Sequence, residues 1–176
     1  MSDALSVIAQ RSSTRGYTEQ KLTKEELNKL LLAGLQAPTA ANKQEIHITV
    51  VDGDNPILAE MEELKNQLRD IQNPPSNFYY GAPTVLFISA DAEYYWSRLD
   101  AGIAVENIAI AAEGMGLGSL IIGCVKDALS GEKKAYFADA LKFPSGYQYE
   151  IAIAVGYKAT SKEPHEFDME KQVSYL

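Results

Sequence analysis

Apolar positions are densest between Asp100 and Gly123, and their pattern predicts the centre of the fold. From Asp100 to about Met115 nearly every position is Ala, Ile, Val or Gly. The acids Glu106 and Glu113 stand seven apart, which sets both on one narrow stripe of a helix. A helix that is apolar almost all round belongs in an interior. At roughly 16 residues, with acids inside it, this segment is too short and too charged for a bilayer, which needs ~20 apolar residues. Gly116-Leu117-Gly118 breaks the helix, and Ser119-Leu120-Ile121-Ile122 reads as a short buried strand.

Other segments carry clear periods of their own. Ser2 to Gln10 predicts a short helix with Leu5, Ile8 and Ala9 on its apolar side. Thr23 answered by Glu26 is a capping box, and Leu27, Leu30, Leu31, Gly34 and Leu35 follow at helical spacing until Pro38 stops the helix. Ile46, Ile48 and Val50 alternate with His47 and Thr49, as in a strand. Asn55-Pro56 starts a helix whose buried face is Leu58, Met61, Leu64, Leu68 and Ile71. Thr84 to Ser89 is a continuous apolar strand, and Asp91 caps the approach to the central helix. Short helices are expected over Lys126–Leu129 and Glu132–Leu141, and a short last strand over Tyr149–Val155. The polar stretch 157–176 reads as a C-terminal arm reaching toward a partner subunit. Strands alternating with helices give an α+β (three-layer α/β) domain spanning 1–176.

Composition narrows the function classes. A chain of 176 residues buries ~70% of its unfolded surface, enough for a real core. A formal charge of −8 argues against nucleic acid or an anionic membrane as non-specific partner. The single cysteine, Cys124, excludes an intrachain disulfide and any CxxC site. His47 and His165 lie far apart without ligand-like spacing, so no metal site is expected. The opening MSDALSVIAQR lacks the basic and apolar regions of a secretory signal, which makes a cytoplasmic location the expectation.

Three stretches carry candidate chemistry. Arg11 and Arg15, two of four arginines, flank Ser12, Ser13 and Thr14. Guanidinium forks and hydroxyls suit an anionic ligand, although the same residues also make a solvated loop whose hydroxyls cap turns. Pro38 to Gln44 offers backbone N–H groups and the amides of Asn42 and Gln44 to a polar ring edge; the plainer reading is a helix-to-strand connection. GMGLGS fails as a dinucleotide fingerprint, lacking a third glycine at the required spacing and a preceding strand, but it permits close approach of a flat ligand at Ile122 and Gly123. Asn107 reads as a satisfied buried amide, Cys124 as a small core residue, and Phe78-Tyr79-Tyr80 as core or interface. No Ser/His/Asp grouping or acid pair stands out.

In this order the pieces resemble the nitroreductase-like family of FMN-dependent NAD(P)H oxidoreductases. Arg11-Ser12-Ser13-Thr14-Arg15-Gly16-Tyr17 is similar to its Arg-x-Ser-x-Arg-x-aromatic motif, and Ala37-Pro38-Thr39-Ala40-Ala41-Asn42-Lys43-Gln44 to its Ala-Pro-Ser-x-x-Asn-x-Gln loop. Gly81-Ala82-Pro83, Asp100-x-Gly102 with Glu106-Asn107, and Gly116-Leu117-Gly118-Ser119 ahead of Gly123 also fit. The resemblance implies a mixed, mostly antiparallel sheet flanked by helices, in a homodimer with FMN at the interface. It implies that Arg11, Ser12, Ser13 and Arg15 hold the phosphate and pyrimidine edge. Pro38, Thr39, Ala40, Asn42 and Gln44 would reach in from the second copy. Ile121, Ile122 and Gly123 would lie along the isoalloxazine, with a backbone N–H near Gly123 facing N5. NAD(P)H is the implied donor and a nitroaromatic, quinone or similar small molecule the acceptor. The flavin carries the chemistry, so no catalytic side chain is expected. Reductive dehalogenation, flavin breakdown and non-catalytic flavin binding are the alternatives. This chain departs from the family with Glu45-Ile46 in place of Pro-Trp. It also has no arginine after Arg98, leaving Lys162 or His165 as the late cation.

Overall fold

Side chains that alternate between two dry faces organise the molecule, a computed structural model that describes residues 3–163 and 166–176. The strands are β1 (His47–Asp52), β2 (Thr84–Asp91), β3 (Leu117–Ile122) and β4 (Tyr147–Tyr157). They form one sheet in the order β1-β2-β4-β3, each neighbouring pair antiparallel. A single parallel bridge, Ser13 to Ser119, gives the sheet its mixed character. Val85 and Phe87 of β2 and Ala152 and Ala154 of β4 enter one core; Leu86, Ile88, Ile153 and Val155 enter the other. A strand buried on both sides has no polar face, which is why Thr84–Ser89 reads as a continuous apolar run.

Helices cover both faces. α1 (Ala4–Gln10), α2 (Lys24–Leu35), α3 (Pro56–Leu68), α4 (Ser97–Gly114), α5 (Lys126–Ser130), α6 (Lys134–Ala140) and α7 (Met169–Gln172) follow in chain order. Leu58 and Met61 of α3, Ala128 and Leu129 of α5, and Phe137 of α6 fill the first core. Leu30 of α2 and Ala101, Val105, Ile108 and Ala112 of α4 fill the second. The expected capping box is formed: Glu26 N–H donates to Thr23 Oγ1 at 3.2 Å, and Thr23 N–H donates to Glu26 Oε2 at 2.8 Å. The other Glu26 oxygen accepts from the Tyr157 hydroxyl at 2.7 Å, fastening the start of α2 to the end of β4. Asn55 caps α3 as expected, its side chain accepting the Ile57 N–H at 3.0 Å.

Several expectations are corrected. α1 buries Val7, while Leu5 and Ile8 stand 73% and 51% exposed, because only one edge of this short helix meets the body. Leu35, Leu68 and Ile71 also lie outside the core: each follows or ends a helix that has already passed the sheet. Val50 is exposed and Val51 buried, since β1 is an edge strand. The turn before β3 is Met115-Gly116 alone, with Gly116 left-handed (φ +76°), and Gly118 lies inside the strand. β4, expected to be short, is the longest strand at 11 residues. Its start was hidden by a bulge: Ile88 pairs with Ile151 and Ser89 with Tyr149, so Glu150 is an extra residue that breaks the alternation. The stretch after residue 157 holds α7 and is mostly exposed. Among the described residues no helix is long and apolar enough to cross a membrane. Thr23→Ala should lower stability by ~1 kcal/mol through loss of the capping box, read as a lower urea midpoint with an unchanged slope.

Candidate functional site

The segment after α1 is laid against the free edge of β3. Ser13 bridges Ser119, and the Thr14 N–H donates to the Ser119 carbonyl at 2.9 Å. Next, Tyr17 bridges Lys158, Thr18 N–H donates to the Tyr157 carbonyl at 3.0 Å, and Ala159 N–H donates to the Gly16 carbonyl at 2.9 Å. This closeness needs glycine in β3: a Cβ at Gly118 would stand 2.6 Å from Thr14 Oγ1. Thr14 is buried, and its carbonyl accepts the Tyr17 hydroxyl at 3.2 Å. Burial pushes that hydroxyl's pKa up, so it remains a donor throughout the ordinary pH range.

With Thr14 and Tyr17 turned inward, the polar residues between them line the edge. The Arg11 Nε lies 3.5 Å from Glu106 Oε1 on α4, an ion pair open to solvent on the Glu106 side. Ser12 Oγ donates to the Lys162 carbonyl at 3.0 Å, so Lys162 is brought beside the cluster. Arg15 is exposed, its guanidinium carbon 5.9 Å from the centroid of the Tyr80 ring. Lys158 is a third nearby cation, but it is committed: Nζ lies 2.8 Å from both oxygens of Glu113. At the far end of β3, Ile122 is buried while Ile121 and Gly123 are open. The Ser119 carbonyl points out of the sheet toward Thr14, so alternation turns the Ile122 carbonyl inward and the Gly123 N–H outward along the same edge.

The second candidate stretch is a strained turn. Ala41, Asn42 and Gln44 all have left-handed backbones (φ 54°, 52° and 54°), which costs of order 1 kcal/mol for each non-glycine residue. Such strain persists only where the surroundings impose it. Here Asp100 Oδ2 accepts the Ala40 N–H at 3.0 Å, the Tyr94 hydroxyl donates to the Ala40 carbonyl at 2.9 Å, and Gln44 N–H donates to Thr39 Oγ1 at 2.9 Å. A cavity of about 520 Å³ opens between this turn and the end of α2, lined by Pro38, Thr39, Asn42 and Gln44 together with Leu35 and Ile46. Behind it Glu45 is 4% exposed with neither carboxyl oxygen hydrogen-bonded. Burial, with Asp100 and Asp91 nearby, raises its pKa.

The structure therefore joins Arg11, Ser12, Ser13, Arg15 and Lys162 to the strand carrying Ile121, Ile122 and Gly123. Among the described residues no hydrogen bond or ion pair links that group to Pro38, Thr39, Ala40, Asn42 or Gln44. His165 lies outside the described residues. Asn107 is satisfied, donating to the Ala33 carbonyl at 3.1 Å. Sequence reasoning missed Tyr94 as a partner of the strained turn and Glu45 as a buried acid beside it. A signal for Asp100 existed, an acid opening an apolar helix; Tyr94 carried none. Among the described residues no cluster of His, Cys, Asp and Glu is suited to hold a metal ion.

A small α+β protein with a segment carrying two arginines tied along one sheet edge is thus defined. The chain belongs to the nitroreductase family, whose model matches residues 8–157. It is similar to an FMN-bound nitroreductase of Desulfitobacterium hafniense, with a TM-score of 0.89 and 28% identity over 100% of this chain and 99% of that one. It is also similar to an FMN-dependent nitroreductase of Clostridium difficile, with a TM-score of 0.87 and 29% identity over 98% of both chains. An FMN reductase (NADPH) of Bacillus subtilis is 25% identical over 99% of this chain and 73% of that protein.

A carboxyl whose pKa is raised by folding contributes stability that is complete below its unfolded pKa and lost as pH rises through the folded value. Glu45→Gln, which stays neutral, should therefore match the parent in urea midpoint below about pH 4 and exceed it at neutral pH. Equal midpoints at both pH values would remove the buried acid from the account.

Proposed function

We propose that the chain is a cytoplasmic, homodimeric flavin oxidoreductase that binds FMN and passes reducing equivalents from NAD(P)H to a small acceptor such as a nitroaromatic or quinone. One observation carries the reading: Ser13 and Thr14 pair with Ser119, which sets Arg11, Ser12 and Arg15 along the edge that ends in the outward Gly123 N–H. The donor set fits FMN chemically. Guanidinium forks match a phosphate or a carbonyl pair, and serine hydroxyls add donors. An exposed Ile121 beside Gly123 offers apolar contact to a flat ring, since a Cβ at Gly123 would meet only Ile151 Cδ1, at 3.9 Å.

In this reading Arg11, Ser12, Ser13 and Arg15 hold the phosphate and pyrimidine edge, Lys162 supplies the late cation, and Ile121, Ile122 and Gly123 line the ring. Bound there, FMN would supply the hydride-transfer chemistry between NAD(P)H and the acceptor. Arg15 favours negative charge on the pyrimidine by Coulomb attraction within the ligand-covered site. Pro38, Thr39, Ala40, Asn42 and Gln44 act on the flavin of the second copy, in keeping with their separation from Arg11–Arg15 within one chain. Dimerisation is supported by apolar side chains left open on α4 and α1: Leu99 is 59% and Ile103 40% exposed, and Leu5 and Ile8 are exposed as well. The arm after residue 157, with Phe167, Met169 and Tyr175 exposed, adds apolar surface for the same partner. An FMN reductase among the relatives and FMN in the similar structures support cofactor and donor.

Purified protein should be yellow, or become so with FMN, and anaerobic NADH or NADPH should bleach the visible flavin band. Colourless protein that takes up no FMN overturns the reading. Yellow protein that neither nucleotide bleaches indicates a flavin-storing or flavin-sensing dimer instead. Arg15→Ala should raise the Kd for FMN about tenfold, the loss of one charge-assisted contact. Full FMN retention with normal redox behaviour would remove Arg15 from the site.

A further inference from the structure

Beneath the open end of β3 lies a buried tyrosine that the site described so far does not use. The Tyr149 hydroxyl donates to the Ile122 carbonyl at 2.8 Å, a fully buried contact between residues 27 apart in sequence. In a trans peptide the carbonyl of one residue and the N–H of the next belong to one rigid plane and point in opposite directions. Ile122 is the last residue of β3 in register with β4, opposite Ala152, so its carbonyl faces the ladder and the Tyr149 hydroxyl is a second donor to it. Held twice, that carbonyl fixes where the Gly123 N–H is aimed, out of the sheet at an exposed position. We propose that Tyr149 is a positioning residue that locks the Ile122–Gly123 peptide and so presents a fixed N–H donor to the flavin ring. The proposal rests on the FMN reading given above.

Three features make this a built contact. First, the bulge at Glu150 shifts the phase of β4, so Tyr149 enters the same core as Ala152 and Ile122; with unbroken alternation it would face α4 instead. Second, the ring is clamped: Tyr149 is 4% exposed, and its centroid lies 6.3 Å from that of Phe87. Third, the bulged residue is held, with Glu150 Oε1 accepting from Gln148 Nε2 at 2.9 Å and Oε2 lying 3.5 Å from Arg98 Nε. Burial, with the Cys124 thiol nearby, raises the hydroxyl's pKa, so it remains a donor at every ordinary pH. A carbonyl that accepts a hydrogen bond also polarises its peptide and strengthens the N–H on the other side.

A fixed donor facing N5 favours oxidised flavin, whose N5 accepts, over reduced flavin, whose N5 carries hydrogen. Tyr149→Phe keeps the ring and removes only the donor. In the FMN-free protein the Ala152 amide, registered opposite Ile122, should exchange with solvent about tenfold faster, while the Leu120 and Ala154 amides, deeper in the same ladder, keep their parent rates. With FMN bound, the two-electron midpoint potential should rise by about 30 mV, the equivalent of a tenfold change in the reduction equilibrium. Unchanged exchange at Ala152, or equal acceleration at Leu120 and Ala154, overturns the lock. Faster exchange at Ala152 alone with an unaltered potential overturns the facing of the Gly123 N–H to N5. Failure to bind FMN in the parent protein overturns the FMN reading itself.

Discussion

The rung between Thr14 N–H and the Ser119 carbonyl decides how the candidate site is laid out. β3 is an edge strand, and an unpaired edge is a row of hydrogen-bonding groups open to any extended chain. This protein covers part of that row with its own N-terminal segment and leaves the end of the strand open. Pairing thereby sets which residues face in and which face out. Thr14 and Tyr17 are drawn inward, and the arginines and Ser12 are left on the rim. Gly118 makes room for this, since a Cβ there would crowd the side chains of Thr14 and Lys158 and something would have to shift.

Much of the frame was legible from pattern. The double-faced apolar run of β2, the capping box at Thr23 and the Asn55-Pro56 start each have a local physical cause, and each is present in the structure. What was illegible depended on distance in sequence. Nothing near Leu5 or Ile8 tells how much of α1 meets the body, and nothing near Leu68 tells where α3 runs past the sheet. The bulge at Glu150 breaks the two-residue period, so the strand was read only from Tyr149 onward. Within the site, residue types and spacing indicated the arginine segment and the glycine turn. The partners that hold them, Lys162 for Ser12 and Asp100 and Tyr94 for Ala40, are visible only in three dimensions.

The two halves of the candidate site are held by different physics. The arginine segment is secured by ladder hydrogen bonds to a rigid sheet, whereas the Thr39–Gln44 turn is a set of left-handed residues kept in place by side chains from α4 and its approach. Ladder bonds cost nothing in backbone conformation, and the turn carries stored strain beside an unsatisfied buried acid. A turn of that kind is the softer of the two walls, and its shape is the more easily altered by what binds against it.

The extra residue at Glu150 has a consequence for the evolution of the chain's length. Removing a single amino acid there would restore an even beat and send Tyr149 toward α4, and everything before it in the strand would swap from one packed face to the other. Adding one elsewhere along the N-terminal half of β4 would do the same in mirror fashion. Descendants of this sequence are therefore free to substitute around the kink, but insertions and deletions near it must come in compensating pairs.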